Sequence, residues 1–448
     1  MMKKSPRGAA VTILNRVEQT GAYAEPLLDS FLSSDTVATI QDRRLLTRLV
    51  YGTLRMKNNL DWIIRSLYRG KPSSLQQGVC TILRVALYQL IYMERIPAFA
   101  AVDEAVKLAK QMYPGRDRLV NAILRNALRK MDAIPYPEED HDLSRYISIV
   151  YSHPEWMTTR WIGRFGPDET KALCEGNNGI PPITIRCNVL KESRDDIIEK
   201  LQAGGNRAMA TQYSTSGILI ADLSVPLARM PLFQQGYIQV QDEASQLISH
   251  IVDPREGEVI LDICSGAGIK STHMGEIMNN RGRIIAVDVN PAKKAAAQRL
   301  SQRMGVTIIE PVTKDSADDL GADYHGIFDR VLVDAPCSGI GTVRRHPEIK
   351  WRIGEADMRK NAILQKNILR AAAPYPKRGG VIVYSTCSTE PEENEEVIRD
   401  FLTRNGDYGL VEPPETIDRG MVTTEGFFRT YPHRHGTDGF FAAVLLRS

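Results

Sequence analysis

The stretch that most constrains the fold of this chain covers residues 328–351. It begins with an unbroken apolar run at residues 331–333, which is typical of a strand buried on both faces of a parallel sheet. The run ends at Asp334, and Pro336 and the glycines after it cannot continue a central strand, so the chain must turn there. Cys337 lies in this turn. In an open α/β sheet, turns at the carboxyl ends of the strands form the ligand-binding edge.

A second cysteine follows a strand of the same kind. Residues 380–385 are largely apolar and β-branched, and Cys387 comes just after them. A single buried cysteine is usually a small core residue. Two cysteines, each at the tip of a core strand of one domain and beside a polar turn, instead favour a catalytic pair. We therefore expect Cys337 and Cys387 to belong to one site.

Length and composition restrict the class of protein. A chain of 448 residues is expected to form two or three domains. Its six cysteines are scattered without a CxxC pair, which favours reduced thiols in a cytosolic setting over a disulfide framework or a zinc site. No long apolar segment follows the basic N-terminal residues or occurs elsewhere, so the sequence predicts neither a signal peptide nor a membrane span. We expect a cytoplasmic monomer without a bound metal.

The net charge of +3 conceals an uneven distribution. Residues 1–135 contain 21 lysines and arginines against 11 aspartates and glutamates, a balance of +10, which leaves 36 against 43, or −7, for the rest. A basic module joined to a mildly acidic one is typical of an enzyme with a polyanion-binding appendage. The alternative is a solvated basic face without a partner.

Periodicity divides the chain into three parts. Residues 5–132 have apolar positions at helical spacing throughout, and Pro135, Pro137 and an acidic run then mark a linker. A small α+β segment follows, and from residue 236 strands alternate with helices, which predicts a parallel sheet. The predicted strands of this last part lie near 258–263, 283–288, 307–310, 328–334, 380–385 and 439–446, and its clearest helices at 292–302 and 357–372.

A glycine turn follows the first of these strands. Gly266 and Gly268 allow the backbone to approach a ligand closely, and the helix that starts there favours negative charge at its N-terminus. Asp288 ends the next strand about 20 residues later, the offset at which a carboxylate accepts ribose hydroxyls. Asp315, after the third strand, is either a partner for an adenine amine or a loop carboxylate. By itself this pattern indicates only a Rossmann-like nucleotide site.

The two cysteine turns resemble a known family. Residues 334–351 and 384–388 are similar to the fourth and sixth motifs of the NOL1/NOP2/Sun family of S-adenosylmethionine-dependent RNA cytosine-5 methyltransferases. Residues 241–245 and 438–441 match it as well. Within residues 5–132, phrases such as 119–125 resemble the NusB-type helical RNA-binding domain. The layout is similar to the bacterial RsmB-like branch, which modifies small-subunit ribosomal RNA.

The resemblance implies three domains and a mechanism. The domains are an all-α NusB-like domain at 1–135, a small α+β domain with its linker at 136–235, and a Rossmann-like methyltransferase domain at 236–448. A thiolate that adds at C6 of cytosine makes C5 nucleophilic enough to accept a methyl group. By resemblance, Cys387 is this nucleophile, Cys337 assists proton removal and release, and Asp334 holds the amidine face of the base. The implied cofactor-binding residues are Cys264, Ser265, Gly266, Ala267, Gly268, Ile269, Lys270, Asp288, Asp315 and Asp334.

One departure leaves other functions open. The family's glycine turn reads CAAPGGKT, whereas residues 264–271 read CSGAGIKS, with Ala267 and Ile269 in place of a proline and a glycine. The leading hypothesis is an enzyme that methylates C5 of a cytosine in 16S rRNA. The alternatives are the same chemistry on tRNA or another rRNA site, and an RNA-binding ribosome assembly factor with a weakened active site. An NAD-dependent reductase is disfavoured, because no hydride-transfer residues accompany the cysteine turns.

Overall fold

A computed structural model describes residues 5–33, 39–71, 74–223 and 225–448. The chain divides into two compact units. Unit 1 comprises Met1–Gly179 and Val343–Arg352, and unit 2 comprises Ile180–Thr342 and Ile353–Ser448. No helix in the described ranges has both the length and the apolar composition needed to cross a membrane.

The first part of unit 1 is helical, as its periodicity predicts. Its core is formed by the apolar stripes of these helices, with Leu46, Leu83 and Leu124 fully buried. Helix α1 begins where the Ser5 hydroxyl accepts the N–H of Gly8, and it ends at Gly21 in a left-handed conformation. The helices are α1 (Pro6–Thr20), α2 (Ala24–Ser33), α3 (Ile40–Arg55), α4 (Lys57–Leu67), α5 (Gln77–Tyr92), α6 (Ala98–Met112) and α7 (Asp117–Lys130).

Three further helices and a returning segment complete unit 1. The helices are α8 (Leu143–Val150), α9 (Glu155–Phe165) and α10 (Pro167–Asn178), and the returning segment carries α16 (Ile349–Arg352). Lys350 of α16 is fully buried. Its ammonium donates hydrogen bonds to the backbone oxygens of Arg55 and Ser152, over 2.8 and 2.7 Å, and to Oδ1 of Asn178 over 3.0 Å.

Unit 2 begins with a small antiparallel sheet. Its described elements are β1 (Ile183–Cys187), α11 (Arg194–Ala203), β2 (Arg207–Ala210), β3 (Gly217–Asp222), α12 (Pro231–Gln234) and β4 (Ile238–Val240). The strands pair in the order β2-β3-β1-β4. This arrangement is the α+β segment that the sequence predicts.

A large mixed sheet forms the rest of unit 2, within residues 243–447, all of which are described. Its elements are α13 (Glu243–Val252), β5 (Val259–Ile263), α14 (Ile269–Ile277), β6 (Arg283–Asp288), α15 (Pro291–Met304), β7 (Ile309–Thr313), β8 (Phe328–Asp334), α17 (Glu355–Ala372), β9 (Pro376–Thr386), α18 (Glu395–Arg404), β10 (Tyr408–Val411), β11 (Phe428–Arg429), α19 (Pro432–His435) and β12 (Phe441–Arg447). The strand order is β10-β12-β9-β8-β5-β6-β7, and β11 pairs with β12. The strands from β9 to β7 are parallel, and β12 is antiparallel to β9.

The strand predictions differ from the structure at their ends. Strand β7 begins at Ile309 rather than near 307, because the N–H of Thr307 bonds to the Asn280 side chain instead of to a neighbouring strand. Strand β9 begins earlier than predicted because Pro376 pairs with Phe328 across an irregularity in the register. No sequence pattern predicts the short strands β10 and β11.

Candidate active site

The order of the strands creates a switch point beside β5. Strand β5 has β6 on one side and β8 on the other, and all three run parallel. Ligands bind in the crevice outside the carboxyl ends of the strands at such a point. Strand β5 leads into Cys264 and the glycine turn, β6 ends at Asp288, β8 ends at Asp334, and β9 leads into Cys387. The segments predicted to form one site therefore end at one edge of one sheet.

The two cysteines of the strand ends are in direct contact. The Sγ atoms of Cys337 and Cys387 lie 3.3 Å apart, and both side chains are partly exposed. The hydrogen bond with Cys387, together with burial, raises the pKa of the Cys337 thiol well above its ordinary value. Cys337 therefore retains its proton and can donate it in a hydrogen bond to the sulfur of Cys387.

Lys270 and Asp334 form an ion pair at the same edge. Lys270 Nζ donates to Oδ2 of Asp334 over 2.6 Å, and the Ser385 hydroxyl donates to Oδ1 over 2.8 Å. Burial alone lowers the pKa of Lys270, but the charge and hydrogen bond of Asp334 outweigh it and raise that pKa above the ordinary value. Lys270 is therefore charged at neutral pH. Cys387 contributes to the same shift, so its sulfur is within electrostatic reach of the ammonium.

The glycine turn is fastened to Asp288. The N–H of Gly266 donates to Oδ2 of Asp288 over 3.0 Å, and the N–H of Asn290 donates to Oδ1 over 2.8 Å. Each carboxylate oxygen retains a further lone pair that can accept a hydroxyl proton. Asp288 is therefore suited to bind the two hydroxyls of a ribose next to the turn.

The turn uses backbone conformations that favour glycine. Gly266 and Gly268 have φ of +57° and +78°, and a Cβ on Gly268 would lie 3.1 Å from the Cβ of Ala297. Cys264 has φ of +64°, which is rare for a residue with a side chain. Burial raises the pKa of the Cys264 thiol to about 12, so this thiol is a packing group and not a nucleophile.

Comparisons with known proteins agree along the whole length. A family model described as 16S rRNA methyltransferase RsmB/F matches residues 249–446, a NusB family model matches residues 4–129, and a model of the RsmF/B-like ferredoxin-like domain matches residues 153–225. "Probable ribosomal RNA small subunit methyltransferase B" of Bacillus subtilis (strain 168) is 35% identical over 454 residues and covers 100% of both chains. The chain belongs to the RsmB/F family of 16S rRNA methyltransferases.

Other relatives of the RsmB/F family show the same extent of similarity. "Ribosomal RNA small subunit methyltransferase B" of Erwinia tasmaniensis is 34% identical over 442 residues, which is 98% of this chain and 97% of the relative. The solved structure of PH0851 has a TM-score of 0.83 and 28% identity, and the match covers 99% of each chain. A methyltransferase homolog from Pyrococcus horikoshii has a TM-score of 0.59 and 26% identity over 67% of this chain and 98% of its own.

Membership of the RsmB/F family confirms several predictions. The fold class is confirmed, with a helical NusB domain, a small domain containing a sheet and an α/β methyltransferase domain. The protein is an rRNA methyltransferase, and its predicted cofactor, S-adenosylmethionine, is confirmed. The residues at the end of β6 fit this cofactor. The Asp288 carboxylate can accept ribose hydroxyls, and the glycine turn that bonds to it allows a ligand to lie close to the backbone.

The departures from the usual RsmB/F-type glycine turn fall at tolerant positions. Ala267 and Ile269 have negative φ, so neither position needs the conformational freedom of glycine. Ile269 begins helix α14, and its carbonyl oxygen accepts hydrogen bonds from Arg186 and Thr272 over 3.1 and 3.0 Å. The backbone of the turn is therefore compatible with both substitutions.

The Asp315 side chain forms no hydrogen bond or ion pair with the other predicted site residues, all of which lie in the described part of the chain. Its side chain is exposed, and its Oδ1 accepts the N–H of Ala317 over 2.9 Å in a local turn after β7. The neighbouring Ser316 side chain bonds to Cys264. The assignment of Asp315 to an adenine amine stays a prediction.

Sequence reasoning missed two buried carboxyl groups of the RsmB/F site. Asp262 lies in β5 beneath the glycine turn, where its Oδ2 accepts the Ser271 hydroxyl over 2.5 Å, and burial raises its pKa to about 7. Glu393 is fully buried and accepts hydrogen bonds from both cysteine turns. Asp262 could have been suspected, since a carboxylate inside an apolar strand is unusual. Glu393 gave no signal, because it lies in an acidic run typical of exposed surface.

Proposed function

We propose that this methyltransferase modifies C5 of a cytosine in 16S rRNA through a covalent bond between Cys387 and C6 of the base. The observation that carries the proposal is the pair of thiols at the ends of β8 and β9, whose sulfur atoms lie 3.3 Å apart. Carbon 5 of cytosine is a weak nucleophile, and addition of a thiolate at C6 activates it. One thiol forms and later breaks this bond, and the second assists its release.

The surroundings of the thiols support Cys387 as the nucleophile. Cys337 retains its proton, because the hydrogen bond with Cys387 and burial raise its pKa. A thiolate is the nucleophilic form of cysteine, and the charged ammonium of Lys270 is within electrostatic reach of the Cys387 sulfur. After methyl transfer, loss of the C5 proton to a base returns the electron pair that re-forms the ring double bond and expels the sulfur from C6. Cys337 can assist this step by donating a hydrogen bond to the departing sulfur.

Asp334 is suited to bind the polar edge of the cytosine ring. Its carboxylate is oriented by Ser385 and Lys270, one on each oxygen. A carboxylate held in this way can accept hydrogen bonds from the amino group and from a protonated N3, which favours addition of the thiolate at C6. The base must leave its stack to reach the site, which costs a few kcal/mol when it is paired.

We place the cofactor site at the same edge of the sheet, at the carboxyl ends of β5 and β6. S-adenosylmethionine supplies an electrophilic methyl group on its sulfonium sulfur. We assign it to residues 264–270, with Asp288 on the ribose and Asp315 near the adenine. Lys270, in the first turn of α14, ends this loop, and its ion pair with Asp334 joins the loop to the end of β8.

The helical part supplies the expected RNA contacts. We propose functional domains at 1–135, 136–235 and 236–448, with the first binding RNA mainly through phosphates because of its +10 charge balance. The first helices expose Arg44, Arg48 and Arg65 at least in part. Methylation of tRNA or of another rRNA site uses the same residues, so the target nucleotide must be identified by experiment.

Two cysteine variants test the mechanism. Cys387→Ala should abolish both the methylated product and any covalent protein–RNA adduct, because the bond to C6 cannot form. Cys337→Ala should permit addition and methyl transfer but slow release, so an adduct should accumulate and appear as a shifted band on a denaturing gel. Bisulfite sequencing of rRNA from a strain that lacks the gene identifies the methylated cytosine.

Cys80→Ala is the matched control, since Cys80 is a free thiol on α5 of unit 1 and belongs neither to the cysteine turns nor to the glycine turn. This variant should form as much methylated product as the unmodified enzyme, and the adduct should not accumulate. Accumulation of the adduct with Cys387→Ala and not with Cys337→Ala would reverse the two roles. Absence of an adduct from both variants, alongside an active unmodified enzyme, would refute the covalent mechanism. Unchanged bisulfite patterns across 16S rRNA would favour tRNA or another target.

A further inference from the structure

A buried carboxylate connects the two cysteine turns of unit 2. Glu393 lies between β9 and α18 and is fully buried. Its Oε1 accepts the N–H of Ser338 over 2.7 Å, and its Oε2 accepts the Ser338 hydroxyl over 2.5 Å. The same Oε2 accepts the Ser388 hydroxyl over 2.5 Å. Because Ser338 directly follows Cys337 and Ser388 directly follows Cys387, one carboxylate holds the residue next to each reactive thiol.

Glu393 is itself fixed in place by other elements. Asn361 and Gln365, one turn apart on α17, donate from their amide groups to Oε1 over 3.1 and 3.3 Å. The Tyr384 hydroxyl, from β9, donates to the backbone oxygen of Glu393 over 2.6 Å. The carboxylate is thus held by a helix, a strand and both turns, and its position does not depend on the serines alone.

Burial of this carboxylate is expensive, which indicates a specific use. Within the described part of the chain, no lysine, arginine or histidine nitrogen forms an ion pair with Glu393, and its carboxylate partners are amide and hydroxyl donors. A buried charge without a counter-charge depends on such hydrogen bonds to offset the loss of hydration. An apolar side chain would fill the space at lower cost, but it could not fix two separate turns.

We propose that Glu393 is a positioning residue that sets the relative placement of Cys337 and Cys387. The inference rests on the proposed function, because it matters for activity only if both thiols act on one base. Glu393 accepts no hydrogen bond from either thiol, so it acts through Ser338 and Ser388. Its carboxylate accepts both hydroxyl protons at one oxygen, and this shared acceptor holds the two turns at a fixed separation.

The decisive variant is Glu393→Gln, which keeps the size of the side chain. Its amide oxygen can still accept the N–H of Ser338, but its NH₂ group cannot accept the hydroxyl protons of Ser338 and Ser388. Loss of alignment on the scale of about 1 Å costs about 100-fold in rate, and we expect a fall of this order in single-turnover methylation. The dissociation constant for S-adenosylmethionine should stay within about twofold, because the contacts of Glu393 lie at the cysteine turns and not at the glycine turn.

Two serine variants separate the turns. Ser388→Ala should slow formation of the adduct, because it loosens the residue next to Cys387, whereas Ser338→Ala should slow release and increase the fraction of RNA trapped as adduct. Glu396→Gln is the matched control, since Glu396 is exposed and lies three residues away. Adduct and product should be measured separately by rapid quench, because a general loss of stability would lower both without changing their ratio.

The outcomes separate this inference from the proposed function. The inference is supported if Glu393→Gln is slow and the two serine variants shift the ratio of adduct to product in opposite directions. It is overturned if Glu393→Gln reacts as fast as Glu396→Gln, or if both serine variants leave the ratio unchanged. If Glu393→Gln does not fold, the serine variants decide by the same criterion. A wild-type enzyme that gives neither adduct nor 5-methylcytosine refutes the proposed function instead.

Discussion

The buried ion pair between Arg186 and Glu276 offers a quantitative test of how the small sheet supports the cofactor turn. Arg186 of β1 reaches helix α14, where its Nε and one terminal nitrogen donate to the two carboxylate oxygens of Glu276 over 2.9 and 2.8 Å. Both side chains are 0% exposed. Arg186 also donates to the carbonyl oxygen of Ile269 and to the Thr272 hydroxyl, each over 3.1 Å. All four residues belong to unit 2.

Glu276→Gln should destabilise unit 2 by about 3–5 kcal/mol, the usual cost of leaving a buried charge without its partner. The size of the effect follows from geometry and burial. The substitution keeps the shape of the side chain but removes the negative charge and one of two acceptors, and water cannot reach the guanidinium to replace them. Arg186→Met removes the other partner, and the double variant should lose less than the sum of the two single changes, with a coupling of about 1–3 kcal/mol.

The assay is urea unfolding followed by far-ultraviolet circular dichroism, which reports both units. The four tryptophans, at positions 62, 156, 161 and 351, all lie in unit 1, so fluorescence alone would not follow unit 2. Glu310→Gln is a matched control, because Arg283 and Glu310 have the same two-bond geometry but are about half exposed. It should cost less than about 1 kcal/mol. Equal losses for Glu276→Gln and Glu310→Gln, or strict additivity in the double variant, would refute the reasoning.

Two further predictions concern buried polar groups. Burial raises the pKa of Asp262 to about 7, above the unfolded value near 3.9, so the folded protein binds more protons than the unfolded chain between these values and loses stability as the pH rises. The loss of unfolding free energy totals about 4 kcal/mol, and Asp262→Asn should make stability less dependent on pH. Melting temperatures measured from pH 5 to pH 8 test this, and an equal fall for both proteins would contradict it. Lys350→Met leaves three oxygen atoms of unit 1 without their donor and should lower the free energy of unfolding by roughly 2–5 kcal/mol. The unfolding transition followed by tryptophan fluorescence should then occur at a lower urea concentration. Lys360→Met, on the exposed face of α17, should leave this transition unchanged.

Much of the large sheet could be predicted because its strands are apolar runs that end in turns. The cores of β5, β6 and β8 were predicted within about one residue, since Asp288 and Asp334 mark the point where a buried strand meets solvent. The meeting of Cys337 and Cys387 was also predictable, because parallel strands place their carboxyl ends at one edge of a sheet. What the sequence could not supply was the separation of the two sulfur atoms.

The parts that could not be predicted are those in which polar residues lie inside the protein. Glu393 lies in an acidic run of the kind that is usually solvated, whereas Arg186 is a single charge in an apolar strand. The partners that allow both to be buried are distant in the chain. Local periodicity reports how a segment faces a core, but it carries no information about which distant donor satisfies a given carboxylate. Short strands such as β11 were missed for a similar reason, since their pairing with β12 defines them and their own composition does not.

The stretch from 328 to 352 contributes to both units. Its first half ends in the Cys337 turn of unit 2, where Gly341 donates to the Cys387 backbone oxygen over 2.9 Å and has no room for a Cβ, which would lie 1.9 Å from the oxygen of Gly439. Its second half belongs to unit 1, where the buried ammonium of Lys350 binds three oxygen atoms. Residues 342–349 join Gly341 to Lys350. A change at Lys350 can therefore act on the Cys337 turn through the chain itself. We expect Lys350→Met to lower the methylation rate and to retain S-adenosylmethionine binding.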